Sequence, residues 1–362
     1  MTRFDYIPLK ELLISVFKKN LFTPKDSEDI SDVIIMADLF GIESHGMQRL
    51  QYYIDDIDQG RAKVHSKPDI IKETKLSALI DANMCMGQIV SMQATDMAIE
   101  KALEHGMSMV CVRNSNHYGI AGYYARKMAQ SGLLGMCFTN SEPIMVPTFG
   151  KQAMLGTNPV AVAMNAEPHM FLFDASTAVV TRGKIEVYIK KEQPMPAGWA
   201  VDSQGNETSD AKTIDDCIFS KSGGGGILPL GGFTEESGGH KGYGFGLMVE
   251  VLTGIFASGF TSDLVRHHEG VEGSCHTFLA IDYGMFGSKA DIEESLSNYL
   301  EKIRSSARHN EQQCIYTHGQ KEALAYEDRI KNGIYLDDKT VLEVKAICKR
   351  YDLSPEKYLK EV

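Results

Sequence analysis

No G-x-G-x-x-G occurs in the 362 residues, so the dinucleotide fingerprint of a Rossmann βαβ unit is missing. The nearest runs, Gly223–Gly226 and Gly242–Gly246, fail at the third glycine. G-x-x-x-x-G-K-[ST], H-E-x-x-H and G-x-S-x-G are absent as well, which removes a P-loop, a zincin helix and a nucleophile elbow. No apolar run approaches the roughly 18 residues that cross a bilayer. The amino terminus, MTRFDYIPLKELLISVFKKN, is amphipathic and lacks the apolar core and cleavage site of a secretory signal. Lys and Arg (37) are outnumbered by Asp and Glu (48), giving a formal charge of −11 with no basic cluster. Nucleic acid and anionic membranes are therefore poor candidate partners. The seven cysteines, at 85, 111, 137, 217, 275, 314 and 348, are odd in number, scattered and without a C-x-x-C. A reducing, cytoplasmic setting is expected, with Cys111 and Cys137 as small core residues.

What is present is a large apolar fraction, 43%, ample for two packed units. The first 60 residues have helical periodicity, and Thr23-Pro24 reads as an N-cap followed by proline at the first helical position. Pro68–Asp81 reads as extended, and GQIVSMQATDMAIEKALEHG as a helix closed by Gly106. Strands are expected at Met107–Val112, LLGMCFTN, PVAVAMN, MFLFDAS and HTFLAID. Helices are expected near Ile120–Gln130 and over Ala178–Lys190, with a buried one in KGYGFGLMVEVLTGIFASG. A long irregular stretch, EQPMPAGWAVDSQGNETSDAKT, carries turn chemistry at Ser203–Asn206, and the tail from Asp291 is mostly helical.

Four polar stretches are too particular for ordinary loops: GIESHGMQRLQYY, NSNHYG, TNSEPIMVPTFGKQAMLGTNPVAV and GGHKGYGFGLMVEVLTG. In NSNHYG a histidine sits at the carboxyl end of a strand, where open α/β sheets bind ligands, although a helix-capping role would equally suit a loop histidine. In GGHKGYG, His240 and Lys241 sit where a helix begins, which suits a phosphate, although Lys241 could equally be solvated. The adjacent His267 and His268 of HHEG have no third partner at metal-ligand spacing and read as solvated surface. No metal is expected.

These stretches, together with FDASTAVVTRGKI, MPAGWAVDSQGNETSD and PLGG, occur in one order over nearly the whole chain. In that order they resemble the malate/L-lactate dehydrogenase family that lacks a Rossmann fold. That family also contains ureidoglycolate and L-sulfolactate dehydrogenases, diketogulonate reductase and a cyclic imine reductase. The resemblance implies an α/β fold with a non-Rossmann, mixed-sheet nicotinamide-binding domain over residues 76–289. A helical domain drawn from both termini, 1–75 and 290–362, would contribute substrate-site residues. It further implies a homodimer with the active site near the subunit interface. The chain departs from the family near the tail, where THGQKE places His318 and Gln320 in positions usually held by proline and an acid.

By the resemblance, the reaction moves a hydride between a nicotinamide cofactor, NAD or NADP, and a small 2-hydroxy or 2-oxo acid, with malate/oxaloacetate first. Proton transfer needs a group titrating near neutrality, for which imidazole is suited. His117 is the first candidate and His45 its rival, one of them polarising the C2 oxygen. Arg49 offers a two-pronged grip on the substrate carboxylate, with Ser44 and Tyr53 completing the lining. For the cofactor the resemblance points to Ser141, to Asp174, Ala175, Ser176 and Thr177, to His240, Lys241 and Gly242, and to His318, Gly319 and Gln320. Arg182 and Lys184 are candidates for reading a 2′-phosphate. Reduction of another 2-oxo acid or of a cyclic imine, and a catalytically silent nucleotide-binding protein, are the alternatives.

Overall fold

The computed structural model describes residues 2–219, 224–266 and 272–362; Gly223 and the His267–Gly270 stretch lie outside them. The chain begins with β1 (Arg3–Phe4), α1 (Tyr6–Lys19), α2 (Pro24–Leu39), two short 3-10 turns (Glu43–His45 and Met47–Arg49) and α3 (Leu50–Asp58). Then come β2 (Asp69–Glu73), β3 (Ser77–Asp81), α4 (Gly87–His105), β4 (Met107–Ser115), α5 (Ala121–Gln130), β5 (Leu134–Thr139), β6 (Val160–Met164) and β7 (Phe171–Ala175). A third stretch holds α6 (Arg182–Lys190), β8 (Ala200–Val201), α7 (Ala211–Phe219), β9 (Gly226–Ile227), α8 (Gly239–Glu250), a π-helical turn (Val251–Ile255) and β10 (Ser274–Ile281). The tail forms α9 (Lys289–Arg304), α10 (Gln320–Asn332), β11 (Ile334–Tyr335), α11 (Asp338–Arg350) and α12 (Pro355–Tyr358).

The central sheet has the order β2-β3-β4-β10-β5-β6-β7. Only β3 and β4 are parallel, joined through α4; every other pair is antiparallel. That mixed arrangement is not the parallel doubly wound sheet of a Rossmann fold. Period-2 alternation gives each strand two apolar faces. Val110, Val112, Phe278 and Ala280 join Ala94, Ala98, Tyr124 and Met128 in the core under α4 and α5. Met109, Cys111 and Cys275 pack on the opposite face with Ala257, just past the π-helical turn.

A second core joins the two ends of the chain: Leu9, Leu13, Phe17, Leu50 and Ile54 pack with Ile334, Val344 and Ile347. β1 pairs with β11, which fastens those ends together. Helix α2 belongs to both cores, because Ile30 and Ile34 face the terminal helices while Val33 and Ala37 face the sheet. Its start is set locally: Thr23 accepts a hydrogen bond from Asp26 N and Pro24 occupies the first turn, a cap worth about 1 kcal/mol. The turn that follows α2 therefore emerges at the junction of the two cores. Helix α9 is fastened to the sheet region, through Asn165 to Glu293 and Glu167 N to Ser297. A third, smaller cluster packs Ile144, Met145, Ile185, Ala200, Ile214 and Ile227 into a lobe of its own.

Four expectations change. β4 runs on to Ser115, three residues past Val112, because Ser274 of β10 pairs with Ser115. Helix α6 starts at Arg182 rather than Ala178, since Val179 N is already bonded to Leu228 O and Ala178 bridges Pro229. The irregular stretch also hides β8 and closes on the first turn of α7. The supposedly buried helix α8 and its π-helical extension expose an apolar face: Phe245 is 54% exposed, Ile255 57% and Phe256 54%.

Candidate active site

The register puts the polar stretches on one edge of the sheet. Ser115 at the end of β4 lies opposite Ser274 at the start of β10, and Thr139 at the end of β5 lies opposite His276. On the far side, Val160 at the start of β6 pairs with Ala175 at the end of β7. His117, Ser141 and Ser176–Thr177 thus lie within two residues of that edge, although they are far apart in sequence.

The NSNHYG loop is held from beneath. Asn116 Nδ2 donates to the carbonyls of Met84 and Cys85 at 3.1 and 2.7 Å. Tyr118 stacks on His276 with ring centroids 4.3 Å apart, and His276 bonds Thr139 Oγ1 through Nδ1 and Ser115 Oγ through Nε2. Burial lowers His276 to about pKa 3, so it is a neutral structural strut. Gly119 has φ +88° and would place a Cβ 2.4 Å from Val33 Cγ1, so only glycine fits there.

The ESHGMQR turn is built differently. Buried Asp38 accepts the Met47 N–H at 2.7 Å, and a Cβ on Gly46 would lie 2.0 Å from Asp38 Oδ1. Burial raises Asp38 to about pKa 8. Arg329 of α10 donates to Asp38 O and Glu43 Oε1, so the tail of the chain braces the same turn.

The two loops bring His45 and His117 into a stack with ring centroids 5.4 Å apart. His45 Nδ1 is 2.9 Å from Ser44 Oγ, and His117 Nδ1 is 2.9 Å from Tyr53 Oη. Gly119 N also donates to His117 Nδ1 at 3.3 Å. Neither Nε2 has a hydrogen-bond partner among the described residues. Burial, with the nearby Arg49, lowers His45 to about pKa 4. Burial, then His45 and Arg49, hold His117 well below the usual imidazole value. Arg49 donates from Nε to Ser44 O at 2.8 Å and lies over the Tyr52 ring. No carboxylate pairs with it among the described residues, so the two terminal nitrogens of its fork have no acidic partner there. Tyr53 is 1% exposed and orients His117 rather than lining open space.

The cofactor candidates fall in four places. Ser141 Oγ accepts Thr157 N at 3.1 Å, Ser176 Oγ donates to Ala178 O at 3.1 Å, and Thr177 Oγ1 donates to Thr157 O at 3.0 Å. Asp174 accepts Gly122 N at 2.7 Å, at the start of α5, and burial raises it to about pKa 6. At α8, His240 and Lys241 are exposed in a first turn without an acid, while Gly242 packs against the Leu230 backbone. Lys184 is exposed on α6, and a Cβ on its neighbour Gly183 would lie 4.0 Å from Ser44 Cβ. The THGQ residues serve the fold: His318 O accepts Leu172 N, Gly319 begins α10 at φ +93°, and Gln320 Oε1 accepts Thr317 N.

The family model described as malate/L-lactate dehydrogenase matches residues 4–345. The chain belongs to that family. It is 41% identical to a malate dehydrogenase of Pyrococcus horikoshii over 343 residues, 94% of this chain and 93% of the relative. It is 34% identical to the L-sulfolactate dehydrogenase of Methanocaldococcus jannaschii, covering 97% of each. The crystal structure of malate dehydrogenase from Entamoeba histolytica superposes with a TM-score of 0.94 at 31% identity, covering 98% of this chain and 99% of that one. Membership of the malate/L-lactate dehydrogenase family makes this chain a 2-hydroxy acid dehydrogenase that uses a nicotinamide cofactor.

The donor set suits such a cofactor. A 12-residue helix with a lysine and no acid in its first turn favours a pyrophosphate. The hydroxyls at the sheet edge and the Asp174 carboxyl suit ribose hydroxyls. Motif reading placed Tyr52 in the GIESHGMQRLQYY stretch without a role, and missed Arg266 and His276. His276 carried no local signal, because its partners Thr139 and Ser115 are more than 130 residues away.

Proposed function

We propose that the protein interconverts malate and oxaloacetate with NAD at the stacked His45–His117 pair. The observation that carries this reading is the pair itself: two histidines with Nδ1 tied to hydroxyls and Nε2 unpartnered among the described residues, beside Arg49. A bound nicotinamide supplies the acceptor for the hydride leaving C2. His117 takes the hydroxyl proton at Nε2 during oxidation and returns it during reduction, with Tyr53 fixing its ring. His45, oriented by Ser44, polarises the same C2 oxygen. Arg49 holds the C1 carboxylate by two parallel hydrogen bonds. Ser141, Asp174, Ala175, Ser176 and Thr177, with His240, Lys241 and Gly242, hold the dinucleotide. Lys184 and His318–Gln320 flank it.

NAD is preferred to NADP in this reading because Arg182, one of two candidates for a 2′-phosphate, is engaged by Glu142, Glu186 and Asp215. Asp174 would also repel a phosphate on the ribose. The relatives named as malate dehydrogenases support the substrate. We assign residues 1–75 and 290–362 to the substrate side and 76–289 to the cofactor side; the core shared by both termini supports this from α10 onward, whereas α9 is fastened to the sheet. The exposed apolar face of α8, with Phe245, Met248, Val251 and Ile255, supports a homodimer. No helix among the described residues is long and apolar enough to cross a membrane, and the scattered free thiols fit a cytoplasmic enzyme.

The test is a panel of 2-oxo acids with NADH and NADPH, followed at 340 nm. Oxaloacetate with NADH is expected to be fastest. A cyclic imine reduced faster than any 2-oxo acid would replace this reading, and no turnover with any pair would favour a silent nucleotide binder.

A further inference from the structure

A four-carbon diacid carries a second carboxylate, and Arg49 satisfies only one. Arg266 lies against the same aromatic ring as Arg49. Its Cζ is 4.9 Å from the centroid of the Tyr52 ring, and Arg49 Cζ is 5.5 Å from that same centroid. Tyr52 in turn meets His117 edge-on, with centroids 5.8 Å apart. One aromatic ring therefore gathers two guanidinium groups beside the imidazole that faces C2. The charge of Arg266 is also among those that depress His117.

The partners of Arg266 are unequal. Nε donates to Glu272 at 2.7 Å and NH2 to Asp56 at 3.1 Å. Asp56 is shared with Arg61, whose NH2 is 2.6 Å away, and burial raises Glu272 to about pKa 7. These two contacts lock the guanidinium in place. On NH1 the recorded neighbour is Glu142, at 3.6 Å, beyond hydrogen-bonding distance, and Glu142 is also 3.8 Å from Arg182. Glu142 directly follows Ser141 at the sheet edge, so a loosely paired carboxylate already stands where a substrate carboxylate would compete.

We propose that Arg266 is the specificity residue that takes the distal carboxylate of a dicarboxylic 2-oxo acid, displacing Glu142 from its NH1. This rests on the reading of the site as a 2-oxo acid reductase. Arg266 is positioned by tertiary contact from a segment more than 200 residues from Arg49, which is why no spacing pattern reveals it. The pairing follows the same rule as at C1: a planar fork, held rigid on one side, meets a planar carboxylate on the other.

The experiment measures kcat/KM for oxaloacetate and for pyruvate, with NADH, in the wild type, Arg266→Gln and Glu142→Gln. The ratio of oxaloacetate to pyruvate should fall about 100-fold in Arg266→Gln, as expected when one charged recognition contact is lost. Glu142→Gln should raise the ratio several-fold, a gain that misfolding cannot produce. If Arg266→Gln folds, judged by its melting curve, and keeps the wild-type ratio, the inference is overturned. It is equally overturned if Glu142→Gln leaves the ratio unchanged or lowers it. A wild type that reduces neither acid overturns the underlying 2-oxo acid reading itself, an outcome distinct from either of these.

Discussion

Tyr53 Oη and His117 Nδ1 are 2.9 Å apart, although 64 residues separate them in the chain. The bond fixes the ring so that Nε2 is the nitrogen left for substrate. It also links α3, in the helical unit, to the loop after β4. His117→Ala should lower turnover by about 10²–10⁴, the usual worth of a positioned proton-transfer group. Tyr53→Phe keeps the imidazole and should cost about tenfold, since only its orientation is lost. NADH affinity should stay the same in both. Full turnover in His117→Ala, with loss in His45→Ala, would assign the proton transfer to His45.

The histidine pKa values set the pH response. His45, at about 4, and His117, well below 6.5, are neutral in the free enzyme at neutral pH. Oxidation requires the neutral base, so its kcat/KM should show no fall as pH drops through about 6.5 and should decline only well below it. Stability follows the same groups, with His276 at about 3. A folded-state pKa below the unfolded value gives stability that is complete above about pH 6.5 and is lost as pH falls toward the folded pKa. Asp38, raised to about 8, acts in the opposite sense: its contribution is complete below the unfolded carboxylate pKa and fades as pH rises toward 8. A histidine NMR titration checks the set: His45 or His117 titrating near 6.5 would contradict it.

Gly46→Ala should damage both stability and turnover. The new Cβ would lie 2.0 Å from the buried Asp38 carboxyl group, so the turn carrying Ser44 and His45 must shift. Overpacking of this kind costs about 1–3 kcal/mol. Denaturant unfolding and kcat should fall together; an unchanged kcat would show that the turn does not position His45.

Arg49→Lys and Lys241→Ala should separate substrate from cofactor. A lysine cannot reproduce two parallel hydrogen bonds, so Arg49→Lys should lower kcat/KM for the 2-oxo acid about 10- to 100-fold, with the KM for NADH unchanged. Lys241→Ala should raise the KM for NADH and leave that for the acid unaltered. Crossed effects would exchange the two assignments.

Replacing an exposed apolar residue of α8 with a charge tests the homodimer. Phe245→Glu or Ile255→Glu puts a carboxylate on the face that a partner would cover. Sedimentation should show the wild type as a dimer and the variants as monomers; a monomeric wild type would end the proposal.

The sequence by itself determined what local chemistry controls. Thr23 and Pro24 start α2, Gly106 closes α4, and short apolar runs mark β4, β5 and β10. The missing glycine fingerprint excluded a Rossmann sheet, and the order of the motifs carried the family. Boundaries failed where distant backbone competed, as at Val179, whose N–H goes to Leu228 and delays α6. The apolar run of α8 reads as buried because composition cannot tell a core face from one a partner would cover. Only the tertiary structure decided that His45 and His117 stack, that Tyr53 holds one of them, and that Arg266 shares Tyr52 with Arg49. Each of these joins segments tens to hundreds of residues apart. Such contacts are set by which edge of the sheet a loop leaves from, and by α2 belonging to two cores at once, neither of which has a local sequence period.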